Sequence, residues 1–326
     1  MQYNIRYTLD YQLLNNFNDL DKYLINSDYF DSTDEEIKIK YKKRNDGIKI
    51  KQEFDNTGFH LLDIPARKVV KTISGEYPVK CPLCLNLDTE KSSAPYNLEK
   101  ALLWRNYIIK ANTFPYFKKH YLLQSPDHIE NLNRGIQNDV HTNPLVIEDI
   151  LEFVKLMKSG TVLFNGYIGN SLTHLHFHYT DTHFPVKRKI KSYSINKDQI
   201  KTNDQSIINL YTDKDNNCKN FVLIKGKNPK NDIYKLLQFI NDMKLLYNLL
   251  IYIDKDILYT FVFIRKKDTD ELNFNLGAAA FGGLVTFSKE NLELYKKNKR
   301  DFIKIIENYC SKTLIKIDID LLKKVF

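Results

Sequence analysis

The chain has 326 residues, 43% hydrophobic and 13% aromatic, enough to core one large or two ordinary domains and too apolar for a disordered chain. Its formal charge of +9 favours anionic ligands such as nucleotides or sugar phosphates and admits nucleic acid, while runs such as Lys42-Lys43-Arg44 and Lys187-Arg188-Lys189 read as solvated surface. Four cysteines in this length make no disulfide framework, no apolar run reaches transmembrane length, and the first residues carry no signal-peptide hydrophobic region; a cytoplasmic or otherwise intracellular setting without a membrane partner is expected.

Leu13, Phe17, Leu20 and Leu24 recur at helical spacing over residues 10–28. Residues 36–42 and 48–54 alternate, and Asn45-Asp46-Gly47 between them is a hairpin signal, since glycine tolerates the positive φ of a tight turn. A further strand is expected over Phe59–Ile64. Cys81-Pro82-Leu83-Cys84 brings two thiols to one short turn, which suits a metal, a redox pair or a structural role, and the metal reading gains from histidines downstream.

A helix is expected near Leu98–Trp104, then strands over 107–110 and 121–124 joined through Asn112-Thr113-Phe114-Pro115. Ser125-Pro126-Asp127-His128 reads as a tight bend that fixes His128. Asn143-Pro144 opens the clearest helix, with Ile147, Ile150, Leu151, Val154 and Met157 as its core stripe and Gly160 ending the run. The strand 161–165 follows. Gly166, Gly169, Asn170 and Ser171 then form a loop whose backbone amides and hydroxyl suit a phosphate, or which is simply a flexible hairpin connection.

That loop leads into Thr173-His174-Leu175-His176-Phe177-His178-Tyr179. A strand repeats every two residues, so the three imidazoles project from one face and the apolar side chains pack behind them. Three histidines in register favour a metal or catalytic site over a structural cluster. Residues 187–220 read as a linker or surface insertion. Beyond them come a strand at 221–224, a helix opened by Asn228-Pro229 and carrying Ile233, Leu236, Leu237 and Ile240, and strands near 249–253 and 258–264. This order repeats the first half at an offset of 85 residues, which sets Tyr259, Phe261 and Phe263 where the first copy has His174, His176 and His178. A degenerate internal duplication or a chance likeness of two helix–strand–strand patterns would both give it. The small residues of 277–285 allow close backbone approach, 289–309 reads as helical, and 314–326 as a strand and a short helix.

With these elements placed, the chain resembles the histidine-triad superfamily, and within it the branch of galactose-1-phosphate uridylyltransferase, dinucleoside tetraphosphate phosphorylase and GDP-hexose phosphorylase. The resemblance runs from about Cys81 to Val285 and is strongest at Asn165–Tyr179; Cys81-Pro82-Leu83-Cys84 and Ser125-Pro126-Asp127-His128 resemble the uridylyltransferase zinc segments. It implies an α+β fold: an antiparallel sheet with packed helices, built as two fused degenerate half-units. On that reading residues 1–75 hold an N-terminal helix and antiparallel strands. Residues 76–186 form the catalytic half, 187–220 the linker, and 221–326 the degenerate second half with C-terminal helices.

The resemblance makes His176 the nucleophile that forms a covalent nucleotidyl-histidine, with a backbone carbonyl holding the other ring nitrogen. Ser171, His178 and Asn165 would hold phosphate oxygens, and Asn112, Gly169 and Asn170 would lie on the substrate side. Cys81, Cys84, His128 and His174 would bind a structural zinc; His120 is a competing ligand or an ordinary hydrogen-bonded histidine. The implied function is a nucleotidyltransferase or phosphorylase acting on a nucleoside-phosphate anhydride. Its partner would be a nucleotide or nucleotide sugar; capped RNA is admitted and a homodimer is compatible. The chain departs from the branch at His178, where transferases usually carry glutamine and hydrolases histidine. Hydrolysis of a nucleotide, dinucleotide or mRNA cap, or non-catalytic nucleotide or RNA binding, are the alternatives.

Overall fold

The computed structural model describes residues 9–10, 20, 49–54, 59–63, 83, 101–112, 115–117, 119–126, 140, 143–166, 174–190, 194–195, 199–212, 220–266, 276–286 and 299–326. The strands in chain order are β1 (Leu9–Asp10), β2 (Lys49–Phe54), β3 (Phe59–Asp63), β4 (Ala101–Trp104), β5 (Tyr107–Ala111), β6 (His120–Gln124), β7 (Thr161–Asn165) and β8 (His176–Thr180), followed by β9 (Ser194–Ile195), β10 (Ile200–Lys201), β11 (Ile207–Thr212), β12 (Phe221–Gly226), β13 (Leu246–Asp254), β14 (Ile257–Arg265) and β15 (Leu284–Thr286). The helices are α1 (Pro144–Met157), α2 (Pro185–Lys189), α3 (Lys230–Asp242), α4 (Ala278–Phe281), α5 (Lys299–Thr313) and α6 (Ile319–Lys323).

Among the described residues, twelve strands form one sheet in the order β1-β4-β5-β6-β8-β7-β13-β14-β12-β11-β10, with β9 on β11, and β15-β3-β2 form a small second sheet. Apart from the parallel β1–β4 pair the large sheet is antiparallel. The fold is therefore α+β, one large antiparallel sheet with packed helices, the architecture that the histidine-triad resemblance implies. None of the described helices is long and apolar enough to cross a membrane.

The strand order reads the same from either side of the β7–β13 contact. Hairpin β7–β8 pairs Thr161 with Thr180, Val162 with Tyr179 and Leu163 with His178. Hairpin β13–β14 pairs Leu246 with Arg265, Tyr247 with Ile264 and Asn248 with Phe263. Each residue of the second set is its counterpart in the first plus 85. Where the halves meet, β7 and β13 pair Phe164 with Leu249, two residues that are themselves 85 apart. The two units therefore repeat one another in strand order and in register, at the offset of 85 residues seen in the sequence.

Alternation along the strands builds two apolar layers, because successive side chains leave opposite faces. Phe177 and Tyr179 of β8, Val162 and Phe164 of β7, and Leu249 and Ile251 of β13 join one core with Ile150, Leu151 and Val154 of α1 and Ile233, Leu236 and Leu237 of α3. On the opposite face Leu163, Leu250, Phe261 and Phe263 pack under Phe184, Phe281, Ile306 and Tyr309. The residues of β8 on that second face are His176, His178 and Thr180.

Several expectations change. The segment near 98–104 is strand β4 over its described part, because Leu102 pairs with Ile109 and Trp104 with Tyr107; tertiary pairing overrides the helical bias of Leu and Ala. The strand with the histidines begins at His176, so His174 lies just before it. The stretch 187–220 supplies β9, β10 and β11, with Ile208, Leu210 and Tyr211 buried; lysine- and asparagine-rich flanks hide that short apolar run. Strand β2 pairs with β3, while 36–42, Asn45-Asp46-Gly47 and all of 10–28 except the buried, helical Leu20 lie outside the described residues.

The two Asn-Pro starts also differ. Asn143 caps α1, its side chain accepting from Leu145 N at 3.0 Å. The cap of α3 is Pro229, with no side-chain bond, and Asn228 Oδ1 accepts from Lys155 Nζ of α1 at 2.9 Å. Helix α1 ends at Lys158 in the left-handed region (φ 56), not at Gly160. Gly160 has φ +76, and a Cβ there would lie 2.7 Å from the Tyr179 ring.

Candidate active site

Antiparallel pairing of β6 with β8 aligns His120 with Thr180, Leu122 with His178 and Gln124 with His176. The two strands thus project His120, His178 and His176 from one face. All three are buried, at 0%, 5% and 3% exposure, and none can be a casual surface histidine.

Hydrogen bonds assign their tautomers. His176 Nδ1 lies 2.7 Å from the His174 carbonyl, which can only accept, so Nδ1 carries the proton and Nε2 is the basic nitrogen. Tyr116 N donates to His120 Nδ1 at 3.0 Å, which puts the neutral His120 proton on Nε2. His120 Nε2 then donates to His178 Nδ1 at 2.9 Å, so the His178 proton sits on Nε2. The site offers a base at His176 beside a donor at His178, the rings edge to face with centroids 5.0 Å apart. Tyr116 packs on His120 and His178, and Phe117 on His120, which excludes water and strengthens these polar contacts.

The other expected residues fall as follows. Asn112 is buried and its Nδ2 lies 3.3 Å from both ring nitrogens of His120, so it supports the histidine chain. Asn165 ends β7, and its Oδ1 accepts from Ala278 N at 2.7 Å and from Asn248 Nδ2 at 3.3 Å. His174 is fully buried, with Nε2 2.7 Å from the Ser125 carbonyl and 3.1 Å from Ser125 Oγ. Ser171, Gly169, Asn170, Cys81, Cys84 and His128 lie outside the described residues. Leu83, which lies between the two cysteines in sequence, is buried and its carbonyl accepts from Gln124 Nε2 at 2.7 Å.

Sequence reasoning underweighted His120 and missed Gln124. Both were signalled: His120, Leu122 and Gln124 recur at period two on one strand, as the triad does. Lys187 was read as surface, yet it is half-buried: its Nζ donates to Thr161 Oγ1 and sits 4.1 Å above the Tyr252 ring, and burial lowers its pKa to about 7.

No family model matches the sequence, and no curated protein matches it. Among solved structures, yeast Ap4A phosphorylase aligns over 87% of this chain and 94% of its own at a TM-score of 0.48 and 14% identity. The same enzyme in complex with Ap4A aligns over 87% and 97% at a TM-score of 0.46. A DUF4931 family protein from Bacillus cereus aligns over 64% of this chain and 98% of its own, with a TM-score of 0.36 and 14% identity.

Proposed function

We propose that the protein cleaves a nucleoside-phosphate anhydride through a covalent nucleotidyl-histidine on His176, and passes the nucleotidyl group to phosphate or a sugar phosphate. The observation that carries this reading is the 2.7 Å bond from His176 Nδ1 to the His174 carbonyl, which makes Nε2 the nucleophilic nitrogen. Nε2 attacks the α-phosphorus; the P–N bond forms as the P–O bond to the leaving group breaks, and its electron pair leaves on a phosphate oxygen that needs no proton at neutral pH. His178 Nε2–H, held by His120, donates to oxygens that gain charge in the transition state, with Asn165 and Ser171 as further donors. In the second step an acceptor oxygen attacks the same phosphorus and the imidazole departs.

Histidine at position 178, where transferases of the resembled branch usually have glutamine, favours water as the acceptor and gives hydrolysis as the second reading. Incubation with α-labelled nucleotide sugars, dinucleotides and caps is expected to leave an acid-labile label on the protein that His176→Ala abolishes; binding without any label on any of these would overturn the reading in favour of a non-catalytic binding protein. Nucleoside diphosphate formed only with added phosphate marks phosphorolysis, and nucleoside monophosphate without it marks hydrolysis.

A structural zinc on Cys81, Cys84, His128 and His174 belongs to the same proposal. Two thiolates and two imidazoles fill a tetrahedral site and leave no open position for water. Support comes from Gln124, which holds the carbonyl of Leu83 one residue before Ser125, the partner of His174. With its Nε2 on the Ser125 carbonyl, His174 would ligate through Nδ1. One zinc per chain, lost in Cys81→Ser together with Cys84→Ser, is the expected assay result; a metal-free folded protein would remove the zinc from the proposal.

A further inference from the structure

The amide of Asn165 has two chemically opposite ends, and only its NH2 end can donate to a phosphate oxygen. Four residues decide which end faces the histidines. Ala278 N–H, a backbone donor, points at one end from 2.7 Å, so that end is Oδ1. Asn248 faces the same oxygen from 3.3 Å, so the facing atom must be its Nδ2, and its own Oδ1 points away. Arg265 Nη1, which can only donate, meets that Oδ1 at 3.4 Å and also donates to the Leu276 carbonyl at 2.7 Å. The chain Leu276-Gly277-Ala278 closes the ring. Each donor–acceptor assignment agrees with its neighbours, and the direction is set by two groups that cannot flip, a backbone amide and a guanidinium.

Asn165 Nδ2 has no hydrogen bond among the described residues, and Asn165 itself is half-exposed. The β7–β8 register pairs Leu163 with His178, and carried two residues further it sets Asn165 across from His176. Arg265, by contrast, is fully buried, stacked on Phe281 and bonded to Tyr309, a costly place for a cation that does nothing but fill space. Gly277 is part of the same device: a Cβ there would overlap Asn165 Oδ1 and lie 2.9 Å from its Cγ.

We infer that Asn248 and Arg265, both in the copy without histidines, are positioning residues that turn the Asn165 amide so that its NH2 end faces His176. The inference rests on the catalytic reading above for its purpose, but not for its geometry. The degenerate half is then a working part of the site: it orients a donor that the other half presents.

The test is Asn248→Asp. It keeps the shape of the side chain and its bond to Arg265, but replaces the donor facing Asn165 with an acceptor. The Asn165 amide, identified in nitrogen-15 spectra by its loss in Asn165→Ala, is expected to shift, because its Oδ1 loses the Asn248 donor and meets a carboxylate that repels it while Ala278 N–H still holds it. Labelling of His176 is expected to slow by about 10²-fold, the order seen when one transition-state donor is lost. Adding Asn248→Asp to Asn165→Ala should slow labelling no further, whereas a merely structural role would multiply the two losses.

An unmoved amide signal, or losses that multiply, overturns the inference. Should the wild-type protein take no label at all, the catalytic reading fails alone and the amide shift still decides the orientation. If Asn248→Asp does not fold, Asn248→Ala removes the same donor without adding a charge: a loss of label that Asn165→Ala does not deepen supports the inference, and unchanged labelling overturns it.

Discussion

Position for position, the two copies use the same sheet face for opposite purposes. In the first, His176 and His178 stand on β8, and their partners on β6 are Gln124 and Leu122. In the second, 85 residues on, Phe261 and Phe263 stand on β14 and pack with Phe221, Leu223 and Leu250 beneath α4 and α5. Phe261 and Phe263 stack with centroids 6.4 Å apart and an interplanar angle of 12°, where the histidines meet at 74°. One backbone therefore supports either a polar site or an apolar core, and side chains alone decide. The comparison separates what the fold needs from what the chemistry needs.

The sharpest way to break it is His176→Phe, which gives the first copy the residue of the second. The chain is expected to fold, while labelling falls by about 10⁴-fold or more, the scale of losing a nucleophile; retained labelling would move the nucleophile elsewhere. The reciprocal change, Phe261→Ala, should leave a folded fraction that still takes label but cost about 3–5 kcal/mol in a denaturant titration, since Phe261 is fully buried. A much smaller cost would mean that the second face does not carry the core.

His120→Ala removes the residue that fixes the His178 tautomer, and a fall of about 10²-fold in labelling is expected in the folded protein, with a lower melting midpoint because His120 is fully buried. The two Asn-Pro starts give a smaller contrast. Asn143→Ala loses a true cap and should cost about 1 kcal/mol, while Asn228→Ala loses only a bond from an exposed lysine and should cost less than half of that. Equal costs would show that α3 is capped as α1 is.

A contrast that appears only as pH changes lies at the junction, where Lys187 of α2 rests on Tyr252 of the other repeat. Between its folded pKa of about 7 and its ordinary 10.5, this amine is neutral when folded and protonated when unfolded. The unfolded state binds more protons there, so stability rises with pH through that window. Above pH 10 burial holds Tyr107 and Tyr252 protonated in the folded chain, and the trend reverses. Lys187→Met should flatten the rise without removing the later fall, as thermal melts across pH 7 to 11 would register.

Much of this was readable beforehand, for reasons that differ by element. Strand β7 and helix α1 carry local signals, alternation in one and an Asn-Pro cap with an apolar stripe in the other, that agree with their packing. The 85-residue repeat was visible because α3, β13 and β14 keep their order and spacing. Strand β4 was not, since Leu102 and Leu103 suit a helix until Ile109 is beside them to pair. Strand β11 was lost among lysines because its alternation spans only Ile208 to Tyr211. The histidine pair at the site was legible from spacing, but the polarity of the chain from Tyr116 through His120 to His178 depends on contacts 58 residues apart. The ring of Asn165, Asn248 and Arg265 spans more still, and no spacing rule encodes it.

The pairing of Phe164 with Leu249 has a consequence for origin. A residue that pairs with its own counterpart lies on a two-fold axis, and strands that meet about such an axis form the isologous contact of a symmetric dimer. Two separate half-length chains joined edge to edge through this strand would have the same central register, with one histidine face in each subunit. If the chain arose by fusing two such halves, one face would have been released from the chemistry proposed for the other, and helices and phenylalanines would be free to cover it, as they do over Phe261 and Phe263.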